Sequence, residues 1–592
     1  MAISTAPQLR HTYLLWKRFS LPIEGGTRDA ISVPDDVAAH LVSAFTLMIT
    51  SMVVNLWAIV FALAFTHMLR RDRVHHMSTS LWNKRGSLTD SFLEIMFPDS
   101  RSHWRQWWVY PVIFVIITCW LAQNVLSIII PPYIVISNAA PVNPTSLFAP
   151  SSNSLTPSSQ ARLFSLDVPS ALRAVGSAQI ASSSVLSKVS LRSTVLDVTP
   201  LGDPILQITY SYNVTGTDLG LQHYPTLLLS VTGACTTEYN WLLSSSASAG
   251  YTNDTYALFG NPNRTLSLSL YDGASPVGYF YTGERSDTPG NITWAAFLST
   301  LDRVSFSPSS DPFYYTGGTR DPSLAGTRYV VRPRRPVLSC WQMDEWRYRG
   351  RKSTIVGLNS TMLPGLELSE GMQLVLARYL GTPKVVDIGR QLGLAALVSS
   401  TTALGSVFDA GGSSGFKDLE RLVVAAYVAT TNTLVDLTLY PRDVEERKTA
   451  EGNLVLGEDG MVKEGVADFV VWSAGVATLS VKAVIIIPVL GFVFWGLALA
   501  LLKWTPLRSV NALDAVVLHK TLVETHPEAR PEEYGAWKGE LVTSFEAELT
   551  FTVMDRYSHE KAKGRETDES PGDVDRSPPK QTMADEVKEL VV

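Results

Sequence analysis

Charge and cysteine are both scarce in this chain of 592 residues: charged residues make up 18% and there are three cysteines. Three thiols are too few for a disulfide-framed scaffold or a thiolate metal cluster. Histidine is scarce where it would matter, because His223 is the only one within residues 131–482. A single imidazole leaves little from which to build a zinc site. Neither a P-loop nor a dinucleotide fingerprint occurs, so nucleotide chemistry has no motif to stand on. The net charge of −6 arises wholly from Lys503 onward, where 12 Lys/Arg face 18 Asp/Glu. An acidic tail on an otherwise neutral chain gives no basic groove for nucleic acid. The expectations are therefore no cofactor, no metal and no nucleic-acid partner.

Apolar sequence is abundant, at 46%. Residues 41–66, LVSAFTLMITSMVVNLWAIVFALAFT, carry no charge and are long enough to cross a bilayer. Residues 107–130, WWVYPVIFVIITCWLAQNVLSIII, form a second uncharged run that opens on Trp107, Trp108 and Tyr110, an interfacial belt, and closes at Pro131-Pro132. A third, AVIIIPVLGFVFWGLALALL at 483–502, lies between Lys482 and Lys503, with Pro488 as its expected kink. The first run starts too deep in the chain, and is too long, for a cleaved signal peptide. Three membrane anchors are expected, making the lipid bilayer the first partner.

Orientation follows from the Lys/Arg asymmetry. The 67–106 segment holds Arg70, Arg71, Arg73, Lys84, Arg85, Arg101 and Arg105, whereas none lies between the second run and Arg162. That makes 67–106 a cytosolic loop and 1–40 an extracellular or lumenal segment. Residues 131–482 become one large ectodomain, and 503–592 a cytosolic tail, disordered from about 558. The acceptor triplet Asn-x-Ser/Thr occurs at Asn213, Asn253, Asn263, Asn291 and Asn359, all within the proposed ectodomain. N-glycosylation on a eukaryotic secretory route is expected there.

Two further uncharged stretches, 391–408 and 422–435, are taken as core helices, with a five-span chain as the alternative. Segment 469–481 is too short to span alone; it extends the last helix or lies at the interface. Residues 131–200 are taken as a stalk and approach to the ectodomain, the stalk proper being the Ser/Thr/Pro-rich 143–165. Beyond it, ILQITYSYNVT, TLLLSVTGAC, RTLSLSLYDG, VGYFYTG and TRYVVRP alternate as strands do. From about Leu366, ELSEGMQLVLARYLG and FKDLERLVVAAYVATTNTLVDLTLY carry helical periodicity. The expected fold class is a membrane protein with three transmembrane α-helices and a large α+β ectodomain, β-rich in its first half (201–482 being the glycosylated part) and helical in its second.

Cys235 and Cys340 are the only cysteines of the proposed ectodomain, Cys119 falling within an apolar run. Spacing alone does not show that they meet, but on an oxidising side pairing is the favoured reading, closing a loop of about 105 residues and adding roughly 4–5 kcal/mol. Around Cys340 runs RPRRPVLSCWQMDEWRYRGRK, 332–352. Arg332-Pro333-Arg334-Arg335 resembles a dibasic convertase site, yet Pro336 follows the would-be scissile bond and disfavours cleavage. Trp341, Trp346 and Tyr348 with Arg347 and Arg349 make a candidate binding strip for glycans or anionic partners. The favoured reading is a strand that packs its Trp inward and leaves its Arg in water, a structural staple first and a binding strip second.

The runs SCWQMDEWRYRG, LPGLELSEGMQLVLARYLG and SSGFKDLERLVVAAYVATTNTL resemble a pattern in uncharacterised fungal multi-pass membrane proteins. Those proteins place a large ectodomain between N-terminal and C-terminal spans. The resemblance covers roughly 335–440 and the span layout; it implies a fungal origin and no activity.

Tests for catalysis come back thin. Gly411-Gly412-Ser413-Ser414-Gly415 matches the G-x-S-x-G elbow, but His519, His526 and His559 fall on the cytosolic side and His223 lies far upstream, so a flexible Gly/Ser linker is the better reading. Nothing selects two acids for glycoside chemistry. Asn55 and Gln123-Asn124 lie within apolar runs, where interhelical hydrogen bonding is their ordinary role. Ser570-Pro571 and Ser577-Pro578 in the tail resemble proline-directed phosphorylation sites, and FEAELTFTVM is strand-like. The function expected is non-catalytic: an integral membrane glycoprotein of a fungal plasma membrane or secretory or vacuolar compartment, binding, sensing or assisting assembly, with other membrane proteins or glycans as partners. An accessory role in a metabolite gene cluster is compatible with this. The alternatives are a transporter subunit and a lumenal carboxylate-dependent glycan-processing enzyme.

Overall fold

The computed structural model describes residues 10–70, 109–149, 157–317, 328–439 and 453–500, with breaks at 181, 249–250, 272–275, 286–290, 355–362, 364, 405–406 and 458. The tail sites, FEAELTFTVM, Asn359 and most of the basic 67–106 loop lie outside these residues. The chain divides into two units, Met1–Val53 with Leu121–Val493, and Val54–Trp120 with Phe494–Val592.

The first unit is dominated by sheet. Strands β1 (Arg18–Ile23) and β2 (Gly26–Pro34) form a hairpin whose turn uses Gly25 at φ 82°. Helix α1 (Asp35–Arg70) follows β2 without a gap. Helix α2 (Val109–Ile129) delivers the chain to the short strands β3 (Val135–Ser137) and β4 (Ala139–Pro141). The last strands, β18 (Val470–Trp472) and β19 (Val476–Ser480), run straight into the final helix. Strand order β1-β2-β19-β3 then joins the N-terminal hairpin to segments far along the chain, and β18 pairs with β4. One face of this sheet, with Val33, Ala477 and Leu479, packs on Ala38 and Phe45 of α1 and on Ile134. The other, with Phe19, Leu21 and Ala30, packs on Ala139 and Val470.

The body is built on a seven-stranded sheet in the order β11-β12-β15-β7-β6-β5, with β16 also paired to β15. Its strands are β5 (Val189–Val198), β6 (Pro204–Thr215), β7 (Leu228–Glu238), β11 (Val277–Arg285), β12 (Asn291–Ser299), β15 (Val337–Tyr348) and β16 (Arg351–Thr354). Period-two alternation sets its faces: in β6, Ile208, Tyr210, Tyr212 and Val214 are buried while Thr209 and Asn213 are exposed. Helix α3 (Pro157–Ile180) precedes the sheet, and α4 (Glu370–Tyr379), α5 (Lys384–Leu392) and α6 (Gly415–Asp436) follow it. Helix α6 lies in the same core as the inner face, its Tyr427 meeting Tyr212 edge-on at 5.8 Å, and it is buried along most of its length. On the outer face a three-stranded sheet, β8 (Leu242–Ser248), β9 (Tyr251–Ala257) and β10 (Thr265–Tyr271), covers Phe297 and Val337 with Trp241 and Tyr256. A small sheet of β13 (Val304–Ser305), β14 (Tyr329–Val330) and β17 (Val407–Phe408) completes the body.

Several expectations are corrected. Among the described residues two helices, not three, are long and apolar enough to cross a membrane: Asp35–Val60 of α1 and Val481–Leu499, here α7. Within α2 (Val109–Ile129) the described apolar helix is Phe114–Leu126, shorter than these two. The body is not a β half followed by a helical half, since α3 precedes the sheet and β17 to β19 come after helices. The Ser/Thr/Pro-rich stalk is not a free tether in its described part. Leu147 and Ala149 join the core, and α3 buries Ala171, Ala174, Val175 and Ala178. Its Arg173 donates to Asp436 of α6 at 2.8 Å. Stretch 422–435 is a core helix within α6, whereas 391–408 breaks into two 3-10 turns, Gly393–Ala396 and Val398–Thr401, and a strand. Segment 469–481 forms β18 and β19.

Candidate functional site

An open cleft of about 1130 Å³ is walled by three stretches remote in sequence: the turn after β4, the loop after β6 and the approach to β18. Asn143 starts the first wall by capping the 3-10 turn Pro144–Ser146 and donating from Nδ2 to the carbonyl of His11 at 2.9 Å. Asn453 ties the third wall to the first, its Oδ1 accepting from Ala149 N–H at 3.0 Å and its Nδ2 donating to the Leu147 carbonyl at 3.3 Å. Gly465 sits at φ 80° against Ser369, where a Cβ would lie 2.0 Å from Oγ, so only glycine fits. Leu147, Met461 and Val462 make the lining apolar, and Lys463 and Glu464 add charge.

The third wall also brings an imidazole to a carboxylate. A bridge between Leu221 and Phe469, and the Gln222 N–H bond to the Asp468 carbonyl at 3.1 Å, align the two loops. His223 Nδ1 then meets Asp468 Oδ1. With Asp468 ionised the carboxylate only accepts, so Nδ1 is then the donor of this pair. The His223 side chain is 70% exposed and Asp468 only 10%. Burial pushes the Asp468 carboxyl up, and the imidazole opposes that. Ser369 lines the same cleft, yet its Oγ is buried behind Gly465 and is no nucleophile for this pair. Among the described residues no cluster of three or more His, Cys, Asp or Glu is placed to hold a metal. What the cleft offers is apolar contact plus a few hydrogen-bonding groups, the make-up of a small-ligand site.

The residues singled out in the sequence are distributed elsewhere. Cys235 and Cys340 form a disulfide, standing in register on adjacent strands β7 and β15 with Cα atoms 4.0 Å apart. They occupy the middle of a buried row, Ile208–Cys235–Cys340–Trp294, across four strands. The strip is split by the strand's alternation. Trp346 and Tyr348 are buried in the core, Trp341 and Arg347 point outward, and Arg349 lies over the Tyr348 ring at 5.1 Å. Trp341 and Trp346 are therefore not one surface. Asn213 and Asn263 are exposed, and Asn253 and Asn291 are half-buried. The GGSSG run is not a flexible linker: Ser413 is buried with Oγ donating to the Asp409 carbonyl at 2.7 Å, and Ser414 caps α6 by accepting from Lys417 N–H at 3.1 Å.

The His223–Asp468 pair was missed because its members are 245 residues apart and meet only through the Leu221–Phe469 bridge. The lone histidine of the body was its one available signal. No curated protein and no solved structure matches this chain. A family model does, over residues 168–471, from within α3 through all seven strands of the large sheet and past Asp468 into β18. That stretch is just over half of the chain and takes in the sheet, the disulfide and the His223–Asp468 wall, so the protein belongs to the family described as a domain of unknown function, DUF8406.

Proposed function

We propose that this is a non-catalytic, multi-pass membrane glycoprotein whose body binds a small amphipathic ligand in the His223–Asp468 cleft and serves in sensing or accessory assembly at a fungal plasma or secretory-pathway membrane. One observation carries this reading: the third wall of the cleft runs through β18 and β19 into the membrane-compatible α7, and the first wall follows β4, the partner of β18. The turn holding Asn143 follows β4 directly, and Asp468 lies two residues before β18, which pairs with β4. The Thr478 hydroxyl of β19 clamps Ala139 of β4, accepting from its N–H at 2.8 Å, and α7 begins at the end of β19. A ligand that draws the walls together loads the sheet from which α1 and α7 depart. Outward-facing Leu47 of α1 and Phe492 of α7 suit these helices to lipid. Placement of Asn213, Asn253, Asn263 and Asn291 away from the core suits them to glycans.

The test is a thermal-shift screen of the full chain in detergent against small amphipathic acids, alcohols and sugars. Compounds that raise the melting temperature are expected, and their effect is expected to disappear in His223→Ala or Lys463→Ala. A screen without a stabilising compound, or one whose hits survive both substitutions, refutes the cleft.

A further inference from the structure

The outer face of the large sheet holds one exposed aromatic ring on a plane of small side chains. Trp341 is 41% exposed. Its row runs Thr209–Ala234–Trp341–Thr293 across β6, β7, β15 and β12. The next row runs Ser211–Thr232–Met343–Asn291. Thr293 and Asn291 are the two ends of the acceptor triplet Asn291-Ile292-Thr293, and alternation puts both on the outer face while Ile292 goes into the core. Asn291 is thus the diagonal neighbour of Trp341, at a spacing of about 7–8 Å that aromatic side chains span.

We propose that Trp341 is the seat of the glycan on Asn291, the apolar face of the first sugar lying against the indole. This rests on the glycoprotein reading above. In the attachment, Asn291 Nδ2 bonds to the anomeric carbon of a lipid-pyrophosphate-linked oligosaccharide, the lipid pyrophosphate leaves, and one amide proton is lost to solvent. A sugar on Asn291 starts within reach of the ring, and the hydroxyl side chains of the neighbouring rows give it hydrogen-bonding partners. An indole offers both a flat apolar face and a π-surface to the C–H groups of a pyranose. The seated glycan shields an indole that is otherwise 41% exposed. Asn213, the other acceptor on this face, lies on β6, beyond β7 from Trp341.

The experiment is oxidative footprinting of the full chain from a glycosylating eukaryotic host, read by peptide mass spectrometry, before and after enzymatic removal of N-glycans. Trp341 oxidation is expected to rise several-fold on deglycosylation, while Trp16, 59% exposed and remote from any acceptor in sequence, stays constant. Asn291→Gln should reproduce the rise and Asn213→Gln should not. A Trp341 rate unchanged by removal of an occupied Asn291 glycan overturns the seat. So does an unoccupied Asn291 on a chain glycosylated elsewhere. Absence of glycan at every acceptor overturns the glycoprotein reading itself.

Discussion

Arg335 and Asp254 form an ion pair at 3.1 Å in which the carboxylate side chain is wholly buried. The pair joins the approach to β15 with β9, and so fixes the three-stranded sheet to the large one. It also explains why the dibasic run is no processing signal. Arg335 is committed to Asp254, and Arg334 lies over the Tyr315 ring at 4.6 Å and pairs with Asp203. A dibasic-specific convertase should leave the native chain intact here. Arg335→Ala should cost about 3–5 kcal/mol, the usual penalty for stranding a buried charge, measured as a fall in the denaturation midpoint.

The disulfide makes a separate prediction. Cys235 and Cys340 lie side by side on central strands, although 105 residues apart in sequence. Replacing both with serine should lower stability by about 4 kcal/mol through the loop-entropy effect. Peptide mapping without reductant should recover the two cysteines linked. Recovery of free thiols at both positions would contradict the pairing.

Buried carboxylates should make the body more stable in mild acid. Asp418 accepts from the Tyr314 hydroxyl and from Val398 N–H at 2.7 Å, and burial pushes its carboxyl up to about 7. Burial pushes Asp311, Asp436 and Asp468 in the same direction. A folded-state value above the ordinary 3.8 means that the folded chain holds the proton more tightly. The stabilisation is complete below 3.8 and is lost as pH rises through about 7. Chemical denaturation at a series of pH values should show stability falling by on the order of 2–4 kcal/mol over this range from Asp418. Asp418→Asn should flatten the upper part of the slope.

Gly465→Ala tests the cleft wall. The added Cβ would meet Ser369 Oγ at 2.0 Å, and the residue would have to keep φ 80°. A loss of about 1–3 kcal/mol is expected, together with loss of the stabilisation given by cleft ligands. A neutral substitution would show that the wall is not held as described.

The strands of the large sheet were legible because their alternation is local: ILQITYSYNVT alone assigns Tyr210 and Tyr212 to the core. The same property hid the split of the strip, since residues 341 and 346 differ by an odd number and alternation sends them to opposite faces. Composition misled over 143–165, where Ser, Thr and Pro suggested a tether. The contacts of Leu147, Ala149 and α3 come from partners such as Asn453 and Asp436, some 300 residues away. The cleft was illegible because its walls come from loops distant in sequence.

The central claim is that the N-terminal hairpin and the described residues of 135–480 share one fold, because β2 pairs with β19 from Val476↔Pro34 to Ser480↔Ala30. The most direct measurement is protease protection of an N-terminal epitope in sealed native-host membranes, scored beside glycan occupancy at Asn213, Asn253, Asn263 and Asn291. The account predicts that the epitope is protected and that the acceptors are occupied in the same vesicles. An epitope cut from the cytosolic face of vesicles whose acceptors are glycosylated would contradict it, since strands on opposite sides of a bilayer cannot pair.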